Sequence, residues 1–216
     1  MAEAPPFQGF HPEAVTFFRE LAADNSKAFF DAHRDVYDEH VRGPMAALER
    51  ALSGMFGDGH LYRPNRDIRF SKDKRPYKLN AAVSFGGRGP RAVGGRHVHL
   101  DADGLFVAVG AYRMEGEVLA RFRRAVADER AGRQLERIVA ELTAKGYALH
   151  GQELKRAPRG FLPDQPRLAL LRRKGLAAVR HWPLEPWLFR PEAGDRIMAV
   201  FADGEPLVGW LRRHVG

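Results

Sequence analysis

Apolar residues recur every three or four positions up to Gly57 and every second position after Asn80. That change of period confines the chain to helices first and sheet afterwards. Pro12 and Glu13 stand where the first turn of a helix prefers them, and Val15, Phe18, Leu21 and Ala22 form a stripe, so a helix is predicted over Pro12–Ala23. Asn25 and Ser26 can cap a second helix that carries Phe29, Phe30, His33 and Tyr37. Pro44 opens a third, with Met45, Leu48, Leu52 and Met55 on one face and Gly57 as its stop. The first quarter is expected to be helical.

After residue 80, Ala81, Val83 and Phe85 alternate, and a glycine-rich stretch follows over residues 86–95. Residues 97–102 and 105–112 flank Asp103-Gly104, a two-residue hairpin signal. Pairing across that turn puts Val98, Leu100, Ala102, Leu105, Val107 and Val109 on a core face, and His97, His99, Asp101, Phe106, Ala108 and Tyr112 on the other. Helical stripes return over residues 118–126 and 135–142. A short strand is expected at 146–149, a loop at 158–166, a short helix at 168–173 and a strand at 176–180. Residues 182–191 read as irregular, and 195–215 as partly helical with breaks at Gly204 and Pro206. No linker or repeat divides the chain. The expected architecture is one α+β domain over residues 1–216, with a mixed or mainly antiparallel sheet flanked by helices.

Between the two regimes lies a run, Arg66 to Lys78, with no apolar stripe: Arg66, Arg69, Lys72, Lys74, Arg75 and Lys78, with Asp67 and Asp73 interleaved and Phe70 and Tyr77 as aromatics. Like charges so crowded repel unless an anion or carboxylates compensate them. Residues 61–99 carry ten Lys/Arg against two Asp, and residues 151–180 eight against Glu153 and Asp164, so the net charge of +8 is regional. A dedicated anion site explains this; two solvated basic surfaces are the plainer alternative.

Length and the 44% hydrophobic content suit a globular protein. The absence of cysteine excludes disulfides and thiolate metal sites and fits a reducing cytosol. The first residues lack the pattern of a signal peptide, and the longest apolar run, residues 105–112, is too short to span a bilayer. A soluble cytoplasmic protein with no membrane partner is the expectation.

The anion-binding reading assigns Arg66, Arg69, Lys72, Lys74 and Lys78 to one wall of a site and Lys155, Arg156 and Arg159 to another, because arginine forks and lysine point charges bind phosphate and carboxylate. Asp67 or Asp73 would orient these cations, and Tyr77 or His99 would transfer protons. If Asp67 and Asp73 neutralise the neighbouring cations in the fold, Asp67→Asn should melt well below the parent; under the plainer alternative the two aspartates are buried ion-pair partners that fix the loop. His97 and His99 share a strand face, but no third ligand is in sight, so no metal is assigned. No phosphate-loop pattern occurs in residues 86–95, no nucleophile elbow or zinc motif is present, and Trp182, Trp187 and Phe189 read as core cover. The expected partner is a phosphorylated or otherwise anionic small molecule, whether or not the chain is an enzyme. The alternative is a nucleic-acid-binding module, suggested by aromatics within a basic run. No cofactor and no oligomeric state are assigned.

The run at 66–78 resembles the signature of the DUF2461 family, Arg-Asp-x-Arg-Phe-Ser-Lys-Asp-Lys-x-Pro-Tyr-Lys. Leu154 to Phe161 is similar to the family's second motif, Leu-Lys-Arg-x-Pro-Lys-Gly. Gly9-Phe10, Asp24-Asn25, Phe29-Phe30 and His99 fall in matching places, whereas Leu79 stands where a threonine is usual. The resemblance implies an α/β-type domain, no established activity and no catalytic residue to transfer.

Overall fold

Proline at a helix's first turn brings a fixed φ and lacks only an amide that would go unpaired, and α1 (Pro12–Ala23) begins on one. The computed structural model describes residues 6–86 and 93–216. α1 buries Ala14, Val15, Phe17, Phe18 and Leu21, while Ala22 is exposed. Ser26 Oγ accepts the Phe29 amide at 3.1 Å and starts α2 (Lys27–Ala32).

The second helix does not run unbroken to Tyr37. His33 leaves the helical region at φ −112°, ψ 21°, its ring bonded back to the Phe29 carbonyl at 2.9 Å. The chain resumes as α3 (Arg34–Val36) and a π-helical stretch, Tyr37–Arg42, before α4 (Gly43–Phe56). Pro44 has no amide to continue the ordinary ladder, and the Gly43 amide reaches five residues back to Asp38 O. α4 buries Met45, Leu48 and Leu52. Met55, expected on the same face, is 59% exposed because the helix ends directly after it, at Gly57 with φ 86°.

β1 (Gly59–Leu61) pairs antiparallel with β2 (Asn80–Phe85), His60 opposite Ser84. Ala81 through Phe85 are all buried, so β2 is covered on both faces rather than alternating. β3 (Gly95–Asp101) and β4 (Gly104–Ala111) form the predicted hairpin, with Val98, Leu100, Leu105, Val107 and Val109 at most 1% exposed. The turn falls one residue earlier than expected, on Ala102-Asp103. Asp101 Oδ1 accepts the amides of Asp103 (2.8 Å) and Gly104 (3.0 Å), an Asx turn. Gly104 is required: a Cβ there would stand 2.0 Å from the Trp182 carbonyl oxygen.

α5 (Gly116–Ala127) and α6 (Glu129–Ala144) follow the predicted stripes. β5 (Ala148–His150) pairs antiparallel with β6 (Leu176–Pro183), Leu149 opposite Ala178, and α7 (Leu168–Leu171) lies between them in the chain. β6 continues past the expected Arg180, and a 3-10 turn, Pro186–Phe189, orders part of the region read as irregular. α8 (Glu192–Asp203) and α9 (Glu205–His214) are separated at Gly204, whose missing Cβ admits the Val109 side chain. The six strands form one antiparallel sheet in the order β1–β2–β3–β4–β6–β5, and the fold class is α+β.

Close packing sorts the chain into two units. One takes the described residues of Met1–Phe85, His97–Phe106 and His181–Met198. In it α4 packs on β1 and β2, and the rings of Phe17, Phe30 and Tyr37 meet at 5.0–5.9 Å. Trp187 is buried and edges Trp182 at 5.4 Å, as core cover should. The other unit takes the described residues of Gly86–Arg96, Val107–Arg180 and Ala199–Gly216. There Trp210 meets Phe122 edge-on at 6.1 Å and donates to Ala131 O at 2.9 Å. Most of the glycine-rich connection, residues 87–92, lies outside the described residues. Among the described residues no helix is long and apolar enough to cross a membrane.

Candidate functional site

The basic run is a loop with a pinned base and a bare tip. At the base, Arg66 N donates to Pro76 O and Lys78 N to Pro64 O, both at 2.8 Å, so Asn65 and Tyr77 face each other as an antiparallel bridge. Asn25 clamps the same place: its Oδ1 accepts the Tyr77 amide at 3.0 Å and its Nδ2 donates to Tyr77 O at 3.3 Å. The Tyr77 ring is buried and stacks on Phe30, centroids 4.1 Å apart and 9° from parallel. Tyr77, a candidate for proton transfer by sequence, is thus a packing anchor in the fold. Phe70 at the tip is 96% exposed, with the Arg69 guanidinium 6.0 Å from its ring centre.

The two aspartates each hold the arginine two residues on. Asp67 accepts Arg69 Nε at 2.9 Å and Nη2 at 2.7 Å. Asp73 accepts Arg75 Nε at 3.0 Å and Nη2 at 2.7 Å, and Arg66 Nη1 at 2.6 Å. Hydrogen bonds from Arg69 hold the Asp67 carboxyl below its ordinary value; those from Arg75, then Arg66, hold Asp73 well below the usual carboxylate range. The side chains of Asp67 and Asp73 are 51% and 36% exposed, so neither is the buried ion-pair partner the alternative reading required. The sharp loss of stability expected for Asp67→Asn goes with it.

The lysines are differently placed. Lys72 is exposed, Lys74 Nζ donates to Ile68 O at 3.1 Å and Lys78 Nζ to Arg63 O at 2.7 Å, and none of the three meets a carboxylate among the described residues. Burial, with Arg63 nearby, lowers the Lys78 amine from its ordinary value.

Lys155, Arg156 and Arg159 lie in the second unit, all exposed. Their segment is tied back by Leu154 N to Arg172 O at 2.9 Å and by Arg172 Nε to Leu154 O at 2.6 Å. The backbones crowd there: a Cβ on Gly151 would lie 2.2 Å from Gly175 O.

A second polar group belongs to the same unit as the basic loop. Ser84 Oγ on β2 donates to the Tyr62 hydroxyl at 3.3 Å and is hydrogen-bonded to His97 Nδ1 at 2.8 Å. His97 Nε2 and His99 Nδ1 are 3.2 Å apart, and His99 Nε2 lies 3.7 Å from Asp101 Oδ2. His99 stacks on Phe106 at 4.6 Å, and Lys78 Nζ stands 5.3 Å from the centre of the Tyr62 ring. Burial, with His99 adjoining, pushes His97 down to about 4. Burial works to raise Asp101, but bonds from His99 and two backbone amides outweigh it and hold the carboxyl below its usual range. Among the described residues no group of three or more His, Asp or Glu could hold a metal ion.

Sequence reasoning found the histidines and Asp101 but missed Tyr62 and Ser84. The signal for Ser84 was a hydroxyl inside the apolar run of residues 81–85; Tyr62 had none. No curated protein matches the chain. A family described as conserved hypothetical protein (DUF2461) matches residues 13–210, a span that holds the pinned basic loop, the histidine strand and the segment at 154–161, and the chain belongs to that family.

Proposed function

We propose that the loop at 66–78 binds a phosphorylated or otherwise anionic small molecule, with Lys72, Lys74 and Lys78 meeting the anion. The observation that carries this is a division of labour. The loop's three arginines are bound by its two aspartates, while its three lysines meet no carboxylate partner among the described residues. Arg66, Arg69 and Arg75 stiffen the loop, and Asp67 and Asp73 orient them; the lysines supply point charges that an anion can bridge. Thermal melting in phosphate against chloride at matched ionic strength tests it. A ligand that binds only the folded state must raise the melting temperature as its concentration rises. The parent should gain and Lys74→Met should gain less; identical curves in phosphate and chloride would overturn the reading.

A second reading, single-stranded nucleic acid, is favoured by Phe70, an exposed flat ring between cations of the kind on which bases stack. It predicts a steep fall of affinity with salt as counterions are displaced. Absence of binding to mixed DNA and RNA at low salt would dismiss it.

A further inference from the structure

We propose that Tyr62, Ser84, His97, His99 and Asp101 form a proton relay whose working end is the Tyr62 hydroxyl, delivering a proton to an oxygen of an anionic molecule held at Lys78. The delivery end rests on the anion-binding reading above; the relay itself rests on three hydrogen bonds and the contact of His99 with Asp101.

The chain runs through side chains from the residue after β1, from β2 and from β3, and its last link, His99 to Asp101, is an ion-pair contact longer than a hydrogen bond. Its links are 3.3 Å from Ser84 to Tyr62, 2.8 Å from Ser84 to His97, 3.2 Å between the imidazoles and 3.7 Å from His99 to Asp101. Every member can both donate and accept except Asp101, the terminal anion. Packing fixes the geometry: His99 lies flat on Phe106, and Tyr62 is met edge-on by His97 at 6.2 Å and by His60 at 4.7 Å. Among the described residues, the charged or titratable groups facing the chain include His60, Asp101, Lys78 and Arg63, whose charge acts on Lys78. A purely apolar need would not place five polar side chains in a row on one sheet, and Ser84 is itself buried.

The step balances as one proton moved. With His99 as imidazolium beside Asp101, the Tyr62 O–H gives its proton to the substrate oxygen and Tyr62 takes the Ser84 proton. Ser84 takes the proton of His97 Nδ1, and His97 Nε2 takes that of His99 Nδ1. The chain ends with His99 neutral, its Nε2–H toward Asp101, and with His97 in the opposite tautomer. Burial keeps His97 uncharged near neutrality, which suits a link that passes protons without storing one.

Nitrogen-15 NMR of the imidazoles across the His99 titration decides this, since both ring nitrogens report the tautomer. In the parent, His97 should change from the Nδ1–H to the Nε2–H form at the midpoint of His99. In Ser84→Ala, with the dispersed amide spectrum of a folded protein, that change should no longer follow His99. A His97 that keeps one tautomer throughout the His99 titration of the parent would overturn the relay, because no proton would then have crossed between its two ring nitrogens. Added inorganic phosphate separates the two readings. If the Lys78 signals move with phosphate and the His99 midpoint moves in the parent but not in Tyr62→Phe, delivery is supported. If Lys78 responds and His99 is indifferent, delivery is overturned. If phosphate moves nothing, the anion-binding reading fails, and the tautomer measurement still decides the relay.

Discussion

The basic loop and the histidine face of the sheet lie in the same unit and solve opposite problems. In the loop, aspartate and arginine sit two residues apart, so each carboxylate finds its guanidinium locally and in contact with water. On the sheet, Tyr62, Ser84, His97, His99 and Asp101 come from a stretch of forty positions and meet only because β1, β2 and β3 are in register. Exposed local pairs contribute little to stability and leave the lysines beside them available. A half-buried polar chain must be satisfied along its length or cost a great deal. The comparison teaches that charge crowded in sequence is compensated locally and in contact with water, whereas polar groups gathered by strand register must satisfy one another.

The largest effect expected is at the joint between loop and core. Tyr77→Ala removes a buried ring stacked on Phe30 and should cost about 3–5 kcal/mol in urea denaturation, the range for buried aromatic truncations. It should also abolish any phosphate response, because the loop's base is lost. A cost no greater than that of truncating Phe70 would erase the distinction between anchor and tip.

Next comes the pH dependence of the histidine chain. His97 titrates at about 4 in the fold and about 6.5 unfolded, so between those values the unfolded chain binds the proton and the folded one does not. Stability should therefore fall as pH drops from about 6.5 towards 4 and be unaffected by this group above 7. A shift of that size is worth about 3 kcal/mol. Denaturation midpoints at pH 7 and pH 4.5 should differ less in His97→Gln than in the parent; equal differences would show that burial of this ring carries no pH cost.

Within the loop, Asp73→Asn should lower the melting temperature more than Asp67→Asn, since Asp73 holds two guanidiniums and Asp67 one. The reverse order would mean that Arg69, not Arg66, ties the loop together. The smallest effect belongs to the tip: Phe70→Ala should stay within about 0.5 kcal/mol of the parent, as a fully exposed ring has little to lose. A weakening of nucleic-acid binding in that variant, with stability intact, would sharpen the second reading.

Local chemistry made much of the fold legible. Pro12, Ser26, Pro44 and Gly57 mark helix ends through φ preference, missing amides and side-chain caps, which act within a few residues. Alternation in β3 and β4 located their core face, and crowded charge with interleaved aspartates located the loop. Where the outcome differed, a partner distant in sequence or a local competition had intervened. Asp101 captured two amides and moved the turn, and the missing amide of Pro44 widened the helix before it.

Composition and period by themselves determined that the chain makes helices and then a sheet, and that its basic loop carries more cations than its two carboxylates can match. Only the tertiary structure decided that Tyr77 is an anchor, that the aspartates are exposed clamps, and that Ser84 and Tyr62 extend a pair of histidines into a chain. Caps, turns and neighbouring charges are short-range interactions that a sequence writes out in order. Strand register and ring stacking join residues tens of positions apart, and their energies exist only once the chain has closed on itself.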